Sequence, residues 1–234
     1  MGLAWGFGYF FTQYIFEKEN LDPKPLTFLF LGLFLSSFLG AKLFFLWFSA
    51  GPKIYQYIYA NYFWLGGGFV FYGGLVFGLL YYFFYSLVLN KFDFNRSYLL
   101  LPGLIFGHAI GRVGCFLAGC CFGSPSNLPW SVKMQDEFRH PVQLYEVFTL
   151  LFLGLFILSL IKNKKSNFQI IATYLLTYSA VRFIIEFFRG DEIRGFFGVF
   201  LSTSQFISLV LFAATVIFII FRVKYLANIN RRVQ

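Results

Sequence analysis

Apolar residues run along this chain in blocks of roughly 20, about the length an α-helix needs to cross a hydrocarbon core. Short stretches rich in Lys, Asp, Asn, Gly and Pro interrupt them. The blocks lack the period-two alternation of an outer-membrane barrel strand. The pattern predicts helices over 2–16, 26–50, 67–89, 97–122, 142–161, 168–188 and 203–221, seven crossings within a single transmembrane domain over 1–234. Between them fall the loop signals Asp22-Pro23-Lys24-Pro25, Gly51-Pro52, Ser124 to Pro129 and Lys162 to Asn167. The first block has no basic leader and no small-residue cleavage site, so it reads as a retained helix and not as a signal peptide.

Composition narrows the class. At 59% hydrophobic and 12% charged residues, the chain is excluded from the soluble globular enzymes. Its net charge of +9 would suggest nucleic acid in a soluble protein, but in a membrane protein it must first be sorted by side. With the N-terminus outside, eleven basic residues fall on inside segments, among them Lys162, Lys164, Lys165, Arg222 and Lys224, against five outside. The fold class is therefore an all-α, polytopic integral membrane protein with the N-terminus outside and the C-terminus inside. The segment 123–141 is then an outer-face loop between the fourth and fifth helices, and nucleic acid is not a partner.

The informative residues are the polar ones inside the blocks. An arginine at the centre of a span costs about 2.5–3.5 kcal/mol, so it normally turns inward and takes a partner. Arg112, Arg182 and Lys42 are such cations. Arg182, Glu186 and Arg189 share one helix face by their spacing of four and seven, and His108 and Arg112 are four apart on another. In the orientation above, Lys42, Tyr72, Arg112, Arg182 and Glu186 occupy the outer halves of their helices, with His140, Tyr145 and Glu146 at the outer start of the fifth. One reading is that Arg182 and Glu186 neutralise each other and staple two helices. The other is that the cations outnumber the acids, and the excess seeks an anion such as a phospholipid head group, held by charge-assisted hydrogen bonds from two guanidiniums. The almost purely apolar inner halves argue against an ion transporter.

Glycines form a second group. Gly103, Gly107 and Gly111 have the spacing that lets helix backbones approach closely. The later ones, through Gly119 and Gly123, follow Arg112 and can unwind the helix end. The three cysteines, Cys115, Cys120 and Cys121, lack the two-residue gap of zinc and thioredoxin-like sites, so no metal is expected. On an unbroken helix Cys115 and Cys120 point about 140° apart, and a bridge between them needs an irregular helix end. They read either as small packing residues or as thiols with a role in transfer chemistry or redox control.

Together these residues resemble the prolipoprotein diacylglyceryl transferase family. The resemblance covers most of the chain: Gly40-Ala41-Lys42, where the family usually has Gly-Ala-Arg, Trp64 to Leu75 (WLGGGFVFYGGL), Gly111 to Gly123 (GRVGCFLAGCCFG), Leu128-Pro129-Trp130, Arg139 to Glu146 (RHPVQLYE) and Arg182 to Arg189 (RFIIEFFR). It departs at Cys115, Ala118 and Cys120, where the family carries Asn, Asn and Glu, and at Tyr72, where it carries His. The resemblance implies transfer of a diacylglyceryl group from phosphatidylglycerol to the lipobox cysteine of a prolipoprotein signal peptide, forming a thioether and releasing glycerol phosphate, with no cofactor. It implies catalytic, phosphate-handling roles for Arg112 and Arg182 and phospholipid binding by Arg112, Arg189, Tyr72, Gly74 and Gly123; from side-chain chemistry, His140 or Glu186 is the catalytic candidate for deprotonating the thiol, with Tyr72 positioning the lipid. His140 also has the plainer reading of ordering, with Pro141, the start of the fifth helix. The implied location is the bacterial inner membrane, with the site in the outer leaflet half. The departures leave open a catalytically altered paralogue that binds an anionic phospholipid or peptide, or transfers to another acceptor.

Overall fold

Local chemistry sets the helix ends in the computed structural model, which describes residues 2–47, 69–190, 196–197 and 201–233. The described helices are α1 Gly2–Lys18, α2 Lys24–Phe45, α3 Phe71–Phe83, α4 Leu101–Leu117, α5 Val142–Lys162, α6 Asn167–Ile185 and α7 Thr203–Val233. Pro25 and Pro102 occupy the first turns of α2 and α4, where a missing N–H costs nothing. Ser166 caps α6 through a reciprocal bond with Gln169, and Ser202 and Gln205 repeat that capping box ahead of α7. Trp64, Gly66 to Gly68, Lys53, Arg194, the Gly51-Pro52 loop and the facing ends of the second and third predicted helices lie outside the described residues.

Five stretches are long and apolar enough to cross a membrane: Lys24–Phe45, Phe94–Leu117, Val142–Lys162, Asn167–Phe188 and Thr203–Tyr225, while the apolar Tyr72–Val88 is shorter. Their outward faces carry large apolar side chains, such as Phe152 and Phe218. Apolar surface on that scale far exceeds what a water-soluble monomer leaves uncovered, and lipid is the solvent that suits it.

Two helix ends and a hairpin are among the differences from the sequence expectation. The fourth predicted helix was to reach residue 122 but α4 stops at Leu117, because Gly119 and Cys121 adopt left-handed backbone angles (φ +64° and +60°) that end the helical path. The helix α7 runs to Val233, beyond residue 221. Within 123–141 a hairpin pairs β1 Val132–Met134 with β2 Glu137–Arg139 across Gln135 and Asp136, both at positive φ. Gln-Asp is not the Asn-Gly signal that announces such a turn in sequence.

The described residues gather into two compact units, one of Met1–Thr12 with Ser97–Gln234, the other of Gln13–Arg96. In the first, Leu101, Ile105 and Ala109 of α4 meet Leu150, Leu153 and Ile157 of α5 and Ile170 of α6, a seam of three- and four-residue steps. Gly103 and Gly107 lie directly against α1, at Gly8 and Ala4. Gly111 faces open space, so close packing accounts for two of the three regularly spaced glycines. In the second unit α2 and α3 cross with Gly40 against Gly73, and Lys42 is buried with its Nζ 3.8 Å from the centre of the Phe69 ring.

A β-carbon at position 103 would strike Gly8 O and Thr12 Oγ1. Gly103→Val is therefore expected to lower stability by about 1–3 kcal/mol or more. Gly111→Ala, at an open helical position, is expected to be neutral or stabilising by up to about 1 kcal/mol. Unfolding midpoints in detergent micelles check the contrast.

Candidate functional site

Four helix ends of the first unit meet at one end of its bundle. Arg112 lies in the last two turns of α4, Glu146 in the second turn of α5, Arg182 in the last turn of α6 and Ser204 in the first turn of α7. At a rise of about 1.5 Å per residue, Arg112 and Glu146 sit roughly 6–8 Å inside their helix ends.

Glu146 is the hub. Its Oε2 is 3.0 Å from Arg112 Nε and 3.9 Å from Arg182 Nη1, while its Oε1 accepts a hydrogen bond from Tyr178 Oη at 3.3 Å and lies 3.4 Å from His108 Nε2. Arg182 also contacts Glu186 Oε2 at 2.8 Å, its fourth neighbour along the helix, and donates to Ser204 Oγ at 3.2 Å. Glu146 is 3% and Glu186 2% exposed. An uncompensated arginine costs about 2.5–3.5 kcal/mol at the centre of a span, and two of them a sizeable share of a folding margin of about 5–15 kcal/mol. The carboxylates are thus a condition of the fold.

The chain Arg112–Glu146–Arg182–Glu186 is formally neutral taken by itself. Hydrogen-bond capacity is not balanced in the same way. Each guanidinium brings about five N–H donors and each carboxylate about four lone-pair sites. Tyr178 already takes one of those sites on Glu146. Donors therefore remain for a further anion, and Arg189, which acts electrostatically on Arg112, adds a positive charge beside the chain.

Beyond the helix ends, three extended segments form a small ladder. Gly123 N–H donates to His140 O, His140 N–H to Ser124 O, Ser124 N–H to Phe188 O and Gly190 N–H to Phe122 O. Gly123 thereby bridges to Arg189 and accepts from Arg139 Nη1 at 3.3 Å. Only glycine fits, since a β-carbon would meet His140 O and the Phe188 O at 2.8 Å. The N–H of Gly123 is spent on this ladder, so its contribution to the site is the placement of Arg189.

His140 Nδ1 lies 3.1 Å from Tyr145 Oη, which also accepts from Trp130 Nε1 at 2.8 Å, and its ring packs edge-on against Phe188. Its backbone meanwhile joins the ladder and the entry to α5. Tyr72 and Gly74, expected at the site, belong to the other unit, where Gly74 packs against the Ser37 carbonyl. Cys115 lies in the last turn of α4 and Cys120 and Cys121 follow its end, and the three sulfurs all lie within 4.8 Å of one another. The hydrogen bond from Cys115 lowers the Cys121 thiol to about 5, assisted by Arg189 and Arg112 against the opposing effect of burial. Burial, followed by the charge of Cys121, raises Cys120.

The sequence reading placed Glu146 at a helix start without recognising it as the hub, and it missed Tyr178 and Ser204. Glu146 carried the same signal as the arginines, an ionisable side chain in an apolar helix.

The family model for prolipoprotein diacylglyceryl transferase matches residues 1–221. The chain is 36% identical over 152 residues to a phosphatidylglycerol--prolipoprotein diacylglyceryl transferase of Clostridium tetani, covering 62% of this chain and 60% of that protein. It is 37% identical over 174 residues to phosphatidylglycerol--prolipoprotein diacylglyceryl transferase 2 of Clostridium perfringens, covering 71% and 64%. To the protein so named in Prochlorococcus marinus it is 32% identical, covering 92% and 83%. The chain spans less than two thirds of the length of the clostridial relatives it matches.

Removing one charge from a buried pair leaves the other stranded. Glu146→Gln is expected to cost about 3–5 kcal/mol. Glu137→Gln, which breaks a pair with Arg139 in which Glu137 is 55% exposed, should cost less than about 1 kcal/mol. Chemical unfolding in micelles measures both.

Proposed function

Since this chain belongs to the prolipoprotein diacylglyceryl transferase family, we propose that it transfers diacylglycerol from phosphatidylglycerol to the lipobox cysteine of a prolipoprotein. The observation that carries this reading is the pair of guanidiniums, Arg112 and Arg182, held on one buried carboxylate with donors to spare. The family gives the acceptor and donor; the arginines give the chemistry. The substrate thiolate attacks the terminal glyceryl carbon, the bond from that carbon to the phosphate oxygen breaks, and the departing glycerol phosphate takes the electron pair. Charge grows on the phosphate as it leaves, and guanidiniums in a low-dielectric site stabilise it more than they stabilise the bound diester. Glu186 is already bound to Arg182, so the His140 imidazole accepts the thiol proton. Arg189, set in place through Gly123, helps to hold the phosphate. No cofactor enters these steps.

The proposed topology is seven crossings of the bacterial inner membrane, N-terminus outside and C-terminus inside, with the site in the outer leaflet half. It is supported by the distribution of positive charge. Lys162, Lys164, Lys165, Arg222 and Lys224 lie at the opposite ends of α5, α6 and α7 from the site, where Arg222 stacks 4.1 Å from the centre of the Phe168 ring.

A second reading, a relative that binds anionic lipid or peptide without turnover, is favoured by Cys115, Ala118 and Cys120 standing where the family has Asn, Asn and Glu. Expression in cells depleted of their own diacylglyceryl transferase separates the two. The transferase reading expects a mobility shift of a prolipoprotein and rescue of growth, with Arg112→Ala and Arg182→Ala each lowering transfer about 100–1,000-fold. An intact, membrane-inserted chain that gives no shift supports the second reading and overturns the first.

A further inference from the structure

The three thiols at the end of α4 take no part in the reaction above. Their arrangement is nevertheless built. The helix stops at Leu117, and the left-handed angles at Gly119 and Cys121 turn the chain back, so that Cys120 N–H donates to Cys115 O at 3.1 Å. Buried Gln143 of α5 fixes the turn by donating from Nε2 to Cys120 O at 2.7 Å. This reversal brings together sulfurs that helical geometry would separate, and all three lie within 4.8 Å of one another.

Two other uses of the thiols fail on chemical grounds. A cysteine that attacked the glyceryl carbon would become a thioether, whose thiolate is too poor a leaving group to pass the lipid on. A disulfide would require an electron acceptor that neither the structure nor the transfer reaction supplies.

We propose that Cys115, Cys120 and Cys121 form a three-sulfur site for a soft, thiophilic cation of the Cu(I) class. Three sulfurs around a metal at bond lengths of about 2.3 Å stand about 4 Å apart in a trigonal set, so closing the cluster takes shifts of less than about 1 Å from the 4.8 Å limit. Among the described residues no fourth His, Cys, Asp or Glu joins the group, which disfavours the four-coordinate structural zinc geometry and suits an ion content with three thiolates. Charge agrees with this choice. Three thiolates and one monovalent cation leave two negative charges, and Arg112 and Arg189 both act electrostatically on this cluster. Binding changes no oxidation state and releases only the protons still held by the thiols.

The test uses the purified, reduced full-length chain in detergent under anaerobic conditions, titrated with Cu(I) against a chromophoric Cu(I) chelator. One Cu(I) per chain is expected, with three sulfur neighbours by X-ray absorption. Each of Cys115→Ser, Cys120→Ser and Cys121→Ser is expected to weaken binding by about 100-fold or more, since outer-shell changes alone cost about 10–100-fold. Unfolding midpoints of the three near-isosteric variants control for loss of structure. No competition with the chelator, binding that survives any single substitution, or a two-sulfur linear site each overturns the proposal. These readouts are independent of diacylglyceryl transfer, so the metal site can fail without the transferase reading failing, and the reverse.

Discussion

Everything at the proposed catalytic end of this bundle depends on one carboxylate buried in an apolar medium. Lipid offers no water to screen a guanidinium, so each of Arg112 and Arg182 must meet an anion from the protein itself. Glu146 serves both, and it does so because α4, α5 and α6 alternate in direction and bring a last turn, a first stretch and a last turn to the same end. The fold and the site are thus coupled: the packing that joins Leu101, Ile105 and Leu150 sets the register at which the ions meet.

Electroneutrality in the ion chain does not oppose binding of a lipid phosphate. Arginine is chosen at such places for its fork of donors as much as for its charge. In the proposed reaction, a donor-rich ion chain that is neutral by itself costs little before a lipid binds and still offers strong hydrogen bonds when charge develops on the leaving group. The ladder through Gly123 orders the backbone at Arg189 and His140 by hydrogen bonds that do not rely on long, flexible side chains finding one another.

Much of this was legible in the sequence because a membrane makes charge conspicuous. Arg112, Arg182 and Glu186 stood out in apolar helices, and their spacing predicted a shared face correctly for Arg182 and Glu186. Glu146 was less visible, since a residue near a predicted helix start could equally have been interfacial, and only three-dimensional packing shows it to be buried. Helix ends were misjudged where backbone conformation overrode hydropathy: Phe116 to Phe122 reads as apolar, yet two left-handed residues end α4 at Leu117. That same turn gathers the three cysteines, which the one-dimensional spacing of five and one residues had argued against. The hairpin of 132–139 left no signal because its Gln-Asp turn is unusual and its strands are three residues each.

The central claim is that Glu146 exists at this position to neutralise arginines, and a double-mutant cycle between Glu146→Gln and Arg112→Gln on unfolding free energy in micelles tests it most directly. The account predicts coupling of at least about 1 kcal/mol, with Arg112→Gln restoring part of the stability lost in Glu146→Gln, because the second change removes the charge that the first left stranded. Strictly additive losses would contradict it.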